Sequence, residues 1–410
     1  MSRNQIATYI PQGSLESARD TSMQPRGAAA REPTADELAE LVRALQILEA
    51  SQSRPGIMAT APDELVANLQ TFITTVMAPA ENRLEQGPNA TLEAKFDSHD
   101  ILGWAGSFFS WWRKLDPFEW KTPSAPGALP SSCRIALFGD WGTGLYGAPV
   151  CAKSIEQSKY DVVLHLGDVY YSGTKKEMTD RFVNMWPKVP GAVNRGLNGN
   201  HEMYTGGRAY FDAVNAWGQT SSYFALENEH WILAGLDTAY ADHDLNGDQA
   251  RWLQDLAAGS PQKKLILFSH HQPFSLLDSQ GPKLVRKLAP LFESKRIYAW
   301  YWGHEHHCIL YQPHALYGLR GRCVGHGGFP YFREKKLLGD KPPDTPVWKN
   351  LDSKNLVPGA KILDGVNRYI EDGLEDYGPN GYMTLELEGE ELFEIVHMPD
   401  GTEVWNQPIE

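Results

Sequence analysis

The chain has 410 residues, of which 42% are hydrophobic and 22% are charged, and these proportions are typical of globular proteins rather than of disordered or fibrous ones. Its 51 acidic and 38 basic residues give a formal net charge of -13, which argues against extensive nucleic-acid binding because such binding needs a cationic surface. The four cysteines form no CxxC pair, which excludes a zinc ribbon and a disulfide-rich scaffold.

The first 122 residues are predicted to form a flexible arm and a helical region. Residues 1–33 are rich in Ser, Arg, Gln, Gly and Pro, a composition that favours a loose arm. In residues 34–122, apolar side chains recur at helical spacing in two stretches. The stretches are Leu38, Leu41, Val42, Leu45 and Leu48, and then Leu65, Leu69, Phe72, Ile73 and Val76. This spacing predicts a helical hairpin.

An aromatic stretch over residues 101–120 has two interpretations. At helical spacing its apolar residues share one face, formed by Ile101, Trp104, Phe108, Trp112 and Leu115. Such a face either packs on another part of the protein or contacts a membrane interface or a partner protein. The sequence contains no run of about 18 apolar residues and no visible secretory signal, so we expect no transmembrane span and a cytoplasmic location. The oligomeric state is left open.

A linker over residues 123–130, marked by Pro123, Pro126, Gly127 and Pro130, is predicted to precede a catalytic domain at residues 131–410. In that domain short aliphatic or aromatic runs alternate with helical stretches, which is typical of an α/β sheet. The predicted strands are Ile135–Phe138, Val162–Leu166, Trp231–Leu236, Leu265–Phe268 and Tyr298–Trp302.

Polar clusters follow five of the apolar runs along the domain. They are Gly139-Asp140-Trp141-Gly142, Gly167-Asp168-Val169-Tyr170-Tyr171, Gly199-Asn200-His201-Glu202, His270-His271-Gln272-Pro273 and Gly303-His304-Glu305-His306. Because the carboxyl ends of strands share a crevice in open α/β sheets, we expect the clusters to converge. The glycines before Asp140, Asp168, Asn200 and His304 are predicted to let the backbone turn sharply at a strand end.

The residue types in these clusters indicate a pair of metal ions. Carboxylate, phenol and imidazole groups without thiolates favour iron, zinc or manganese over soft metals. The set is too large for one tetrahedral ion, whereas two ions about 3.5–4 Å apart and bridged by a carboxylate account for it.

The order of the five clusters resembles that of the calcineurin-like metallophosphoesterases, whose blocks read GD, GD, GNH, H and GHxH. The resemblance covers residues from about 131 to 400 and implies a four-layer αββα sandwich, here with an N-terminal helical extension. The first block departs from the usual DxH because Gly142 stands where the histidine would be. The second block, Gly167 to Tyr171, matches the GDxxY pattern of the purple acid phosphatases, in which a tyrosinate binds ferric iron.

The resemblance also implies a ligand set and a mechanism. A ferric ion would be held by Asp140, Asp168, Tyr171 and His306, and a divalent iron, zinc or manganese ion by Asp168, Asn200, His271 and His304. His271 is chosen over His270 because His271-Gln272-Pro273 fits the family's His-x-Pro pattern. Asp168 would bridge the ions, Asn200 would complete the catalytic site, and His201 would bind the phosphate and protonate the leaving group.

The sequence therefore predicts a phosphomonoesterase of purple acid phosphatase type that uses a metal-bound hydroxide and acts on a small phosphorylated substrate. A phosphodiesterase acting on cyclic nucleotides or lipid headgroups is the alternative, because the same dinuclear site serves both reactions. A scaffold that keeps the metal sites for binding alone is the third interpretation.

Overall fold

The computed structural model describes residues 34, 36, 39–44, 64–71, 122–123, 125–142, 144, 146–278, 281–370 and 375–409. The predicted arm at residues 1–33 and the aromatic stretch at residues 101–120 lie outside them. Two compact units are present, one formed by Met1–Pro117 with Tyr204–Gly206 and the other by Phe118–Met203 with Gly207–Glu410. The predicted domain boundaries stay predictions.

In the first unit, residues 39–44 are helical and Glu64–Thr71 form helix α1. Leu65 and Leu69 of α1 are buried, as their helical spacing predicts, whereas Phe72, Ile73 and Val76 lie outside the described residues. None of the helices in the described parts of the chain is long and apolar enough to cross a bilayer.

The second unit contains two β-sheets and several short helices. Its described strands are β1 (Gly127–Ala128), β2 (Ser132–Phe138), β3 (Val162–His165), β4 (Val193–Gly196), β5 (Phe224–Glu227), β6 (Trp231–Leu236), β7 (Lys264–Ser269), β8 (Ile297–Trp302), β9 (Cys308–Tyr311), β10 (Arg320–Val324), β11 (Val347–Leu351), β12 (Ala360–Asp364), β13 (Tyr382–Glu388), β14 (Glu391–His397) and β15 (Glu403–Pro408). Its described helices are α2 (Ala148–Glu156), α3 (Lys175–Met178), α4 (Asn200–Met203), α5 (Arg208–Asn215), α6 (Gln249–Gly259), α7 (Pro282–Lys287), α8 (Ala289–Glu293) and α9 (Lys335–Leu338), and a π-helical turn, Thr179–Val183, follows α3.

One sheet has six strands in the order β15-β14-β13-β2-β3-β4, and the other has nine in the order β1-β5-β6-β7-β8-β10-β9-β12-β11. Strands β2, β3 and β4 are parallel, as are β6, β7, β8 and β10. All five predicted strands are confirmed: four match within one residue at each end, and β2 begins three residues before its predicted start. The predicted linker itself contains β1, which pairs with β5.

The core lies between the two sheets and on their outer faces. Ile135 and Leu137 of β2 pack with Leu233 of β6 and Phe268 of β7 in one buried cluster between the sheets. Alternate residues of the same strands face outward, because side chains alternate across a strand. On the outer faces, Phe138 packs with residues of α2, and Ile232 of β6 packs with residues of α6 and α7. These layers form the predicted αββα sandwich.

Candidate metal centre

The five polar clusters meet where the parallel strands of both sheets end. Asp140 follows β2, Asp168 follows β3 and Asn200 follows β4 in the six-stranded sheet, whereas the histidine clusters follow β7 and β8 in the nine-stranded sheet. Because the sheets pack face to face, their strand ends form one edge. The centre is therefore built from both sheets, and neither sheet alone carries a complete ligand set.

Four of the predicted ligands have a left-handed backbone conformation that residues other than glycine rarely adopt. Asp140, Asp168, His304 and His306 have φ angles of 57°, 71°, 67° and 55°. Hydrogen bonds hold these turns, because the His304 amide donates to Asp140 Oδ2 at 3.0 Å and the His201 amide donates to Asp168 Oδ1 at 3.1 Å. Such strain clusters at functional sites, where the surrounding structure maintains it.

The glycines of the motifs mostly provide space rather than turns, which corrects the expectation from the sequence. Among the four glycines that precede Asp140, Asp168, Asn200 and His304, Gly167 alone has a positive φ, at 103°. A Cβ atom at Gly199 would lie 2.0 Å from Asp168 Oδ1, and one at Gly303 would lie 2.5 Å from Asp140 Oδ2. These two glycines therefore let the backbone approach the buried carboxylates.

One group of side chains, the first ligand group, consists of Asp140, Asp168, His306 and Tyr170. Donor atoms of Asp140, Asp168 and His306 all lie within 4.8 Å of one another, a spacing that one metal ion can bridge. His306 Nε2 is 3.5 Å from Asp140 Oδ1. The Tyr170 hydroxyl donates to Asp168 Oδ2 at 2.9 Å and lies 2.5 Å from His306 Nε2.

The structure places Tyr170 in this group and turns the Tyr171 ring away from it. The Tyr171 amide donates to Glu177 Oε1 at 2.7 Å, and its ring lies 5.6 Å from the Arg181 guanidinium carbon. Glu177 is fixed in turn by a reciprocal capping box with Thr174 at the start of α3. The backbone is thus anchored so that the first of the two tyrosines faces the carboxylates, although the GDxxY spacing points to the second.

The second ligand group consists of Asp168, Asn200, His270 and His304. His270 Nε2 lies 3.3 Å from Asp168 Oδ2, 3.1 Å from Asn200 Oδ1 and 3.2 Å from His304 Nδ1. His270 Nδ1 donates to the Leu166 carbonyl at 2.9 Å, so the lone pair of Nε2 points toward the group. This tautomer is the one that binds a metal through Nε2.

The structure places His270 in the second ligand group, where the His-x-Pro pattern predicts His271. The His271 side chain is fully buried nearby, and its Nδ1 lies 3.0 Å from the Thr238 carbonyl oxygen. Its Nε2 is buried and has no hydrogen-bond partner among the described residues. The two neighbouring histidines therefore face different sets of side chains, and the pattern of residue types alone does not distinguish them.

His201 lies beside both groups. Its Nδ1 hydrogen-bonds the backbone carbonyl of Tyr171, and its Nε2 is 3.9 Å from Asp168 Oδ2. The His201 ring also packs against Tyr170, with 3.9 Å between the ring centroids. The fixed Nδ1 leaves Nε2 pointing toward the carboxylate that the two ligand groups share.

The pKa shifts of the candidate ligands differ in direction. Burial lowers the pKa of His270, but the Asp168 carboxylate outweighs this effect and raises that pKa to about 9, so a metal ion would have to displace the proton on its Nε2. Burial raises the pKa of Asp140 well above its usual range, and the nearby Asp168 carboxylate raises it further, against the opposing effect of His270. Burial acts on Asp168 in the same direction, but the His270 and His201 imidazoles hold its pKa well below the usual range. Burial lowers the pKa of His306 to about 3, which keeps its ring neutral. Metals bind neutral imidazoles and ionised carboxylates, and they offset the cost of burying the negative charges.

Two supporting residues have no role assigned from the sequence. Glu202, in the third cluster, accepts hydrogen bonds from the amides of Asp168, Val169 and Gly199, so it ties the second cluster to the third. Phe329 stacks on Tyr170 with 4.6 Å between centroids and lies 4.3 Å from the His306 ring. Glu202 belongs to the third polar cluster, so the sequence motif could have identified it as a site residue. Phe329 belongs to none of the five clusters, so no motif identifies it.

We expect Gly199→Ala to disrupt the centre, because its new Cβ would overlap the Asp168 carboxylate. Overpacking of this kind typically costs about 1–3 kcal/mol, so the free energy of unfolding should fall by that amount and bound metal should be lost. Gly259→Ala is the control, since a Cβ there meets nothing within 4 Å. Equal metal content in both variants, measured by elemental analysis, would contradict this role of Gly199.

Part of the chain is similar to a known protein family. Residues 133–308 match the family model described as calcineurin-like phosphoesterase. No curated protein sequence shows a significant match to the chain.

Several solved structures are similar to parts of the chain at low identity. GAP50, the anchor in the inner membrane complex of Plasmodium, is 12% identical with a TM-score of 0.49, over 68% of this chain and 89% of that one. PhoD is 12% identical with a TM-score of 0.42, over 71% of this chain and 74% of that one. Vacuolar protein sorting 29 from Cryptosporidium parvum is 12% identical with a TM-score of 0.32, over 68% of this chain and 97% of that one. The match to the family model shows a calcineurin-like phosphoesterase domain over residues 133–308 of the chain.

Proposed function

We propose that the protein is a phosphomonoesterase of purple acid phosphatase type with two metal ions. The observation that carries the proposal is the position of one carboxylate oxygen, Asp168 Oδ2. It lies 2.9 Å from the Tyr170 hydroxyl of the first ligand group and 3.3 Å from His270 Nε2 of the second. A carboxylate shared in this way is what a pair of bridged ions requires.

The two ligand groups divide the roles of the chain's side chains. Asp140, Asp168, His306 and Tyr170 would hold one ion, and Asp168, Asn200, His270 and His304 would hold the other. Bound together, such ions supply an ionised water near neutral pH and neutralise the phosphate oxygens. Backbone groups orient these ligands: the Leu166 carbonyl accepts from His270, and the amides of His201 and His304 donate to the carboxylates of Asp168 and Asp140.

His201 is the residue best placed to act on the substrate. Its Nε2 faces the shared carboxylate, and the carbonyl of Tyr171 fixes its ring. From this position it would contact the phosphate. Because Nδ1 donates to a carbonyl, Nε2 carries a proton only when the ring is protonated; burial lowers the pKa of His201 and the Asp168 carboxylate opposes this effect. The protonated ring would give its Nε2 proton to the leaving oxygen and return to the neutral form.

The environment of Tyr170 favours a ferric ion in the first ligand group. Burial raises the pKa of Tyr170 well above its usual range, and the carboxylates of Asp168 and Asp140 raise it further. The phenol therefore stays protonated unless a cation lies beside it. A hard, anionic phenolate favours a trivalent ion, so we propose Fe(3+) in the first group and divalent iron, zinc or manganese in the second.

A comparison of two nitrophenyl esters tests the reaction. We expect the metal-loaded protein to hydrolyse nitrophenyl phosphate faster than the bis-ester, as a phosphomonoesterase should. Faster hydrolysis of the bis-ester would indicate a phosphodiesterase instead. If neither ester is hydrolysed although two metals are bound, the protein is a metal-binding scaffold and the proposal is wrong.

Tyr170→Phe and Tyr171→Phe test the assignment of the phenolate. We expect the aerobically purified protein to show a visible charge-transfer absorption band that Tyr170→Phe removes and Tyr171→Phe keeps, because only the Tyr170 hydroxyl lies beside Asp168. Iron content should be measured in both variants. Loss of the band in Tyr171→Phe alone would return the ligand to the position that GDxxY predicts.

His201→Ala tests the proton donor. We expect the kcat on an alkyl phosphate to fall by ~10²–10⁴-fold, the usual range for a general acid. The loss on nitrophenyl phosphate should be smaller, because nitrophenolate leaves without a proton. His230→Ala, a half-buried histidine elsewhere, is the matched control. An equal loss on both substrates would mean that His201 does not protonate the leaving group.

A further inference from the structure

Three histidines beside the centre form a group of their own, called here the outer histidine site. One ring nitrogen from each of His243, His271 and His304 lies within 4.8 Å of the others. The ring centroids are 3.8 Å apart for His243 and His271, 4.6 Å for His271 and His304, and 5.3 Å for His243 and His304. His304 also belongs to the second ligand group, whereas His243 and His271 are members of neither ligand group.

His271 is prepared to bind a cation. Its Nδ1 donates to the Thr238 carbonyl at 3.0 Å, which leaves the lone pair on Nε2. That nitrogen is buried and has no hydrogen-bond partner in the parts of the chain that the structure describes. An unpaired buried acceptor is unfavourable, and a bound ion would satisfy it.

His243 is prepared in the same way from the solvent side. Its Nδ1 lies 2.8 Å from Asp242 Oδ1, an arrangement in which a carboxylate orients the ring and makes Nε2 a stronger donor to a metal. The side chain of His243 is 31% exposed, so an ion could enter from solvent.

The geometry points to a second binding position for a late first-row divalent cation, such as Zn²⁺, formed by His243, His271 and His304. Three imidazoles with an open fourth position suit zinc or cobalt and do not suit magnesium or calcium, which prefer oxygen ligands. Because an imidazole normally gives one ion one lone pair, an ion here would take His304 from the second ligand group. The outer histidine site is therefore an alternative position for the second ion, and its existence does not depend on phosphatase activity.

Cobalt binding to a variant without the shared carboxylate tests the site. Asp168→Ala removes the ligand common to both carboxylate-containing groups and leaves the three histidines in place. We expect this variant to bind one Co²⁺ with the intense visible absorption of a four-coordinate site. Adding His243→Ala should weaken binding by more than the roughly 10–100-fold that loss of an orienting partner costs, and adding Asp242→Ala should weaken it within that range.

His230→Ala in the same background is the control for histidines elsewhere on the protein. Unchanged Co²⁺ affinity after His243→Ala, or the weak absorption of a six-coordinate ion, would overturn the proposal. If Asp168→Ala does not fold, Asn200→Ala serves as the background, since it removes a ligand of the second group alone. Co²⁺ binding is measured in variants whose dinuclear centre is disrupted. The result therefore does not depend on whether the wild-type protein hydrolyses phosphate esters.

Discussion

The centre depends on a negative charge held in the interior. The Asp168 side chain is 1% exposed, and within the described residues it pairs with the imidazoles of His201 and His270 rather than with lysine or arginine. Burying a carboxylate is costly unless it is paired or binds a metal. The surrounding structure meets part of this cost with the amide of His201 and the hydroxyl of Tyr170. Bound cations would offset the remaining cost of burying this charge, so the stability of this edge of the sheets would depend on metal binding.

Two sheets are needed because no single strand end can surround a carboxylate. The six-stranded sheet supplies Asp140, Asp168 and Asn200, and the nine-stranded sheet supplies the histidines. The buried cluster between the sheets fixes the distance between these ends, since packed interiors deform little. Glycines at positions 199 and 303 then allow the backbones to approach the carboxylates, and Glu202 joins two of the loops.

Sequence reasoning predicts the sandwich and the convergence of the five clusters because both follow from patterns of residue type and order. It favours Tyr171 and His271, whereas the structure has their neighbours Tyr170 and His270 beside the Asp168 carboxylate. The Tyr170 hydroxyl contacts the Asp168 carboxylate. Tyr171 instead contacts Glu177 and Arg181, which come later in the chain, in α3 and in the π-helical turn after it. His270 and His271 are separated in the same way, by the carbonyls of Leu166 and Thr238. The positive φ angles of four ligands also depend on tertiary contacts that no local pattern contains.

Anomalous diffraction from a crystal of the metal-loaded protein tests the central claim most directly. The account predicts two ions about 3.5–4 Å apart with the Asp168 carboxylate between them, Tyr170 on one ion and His270 on the other. A single ion, or two ions of which only one touches Asp168, would contradict it.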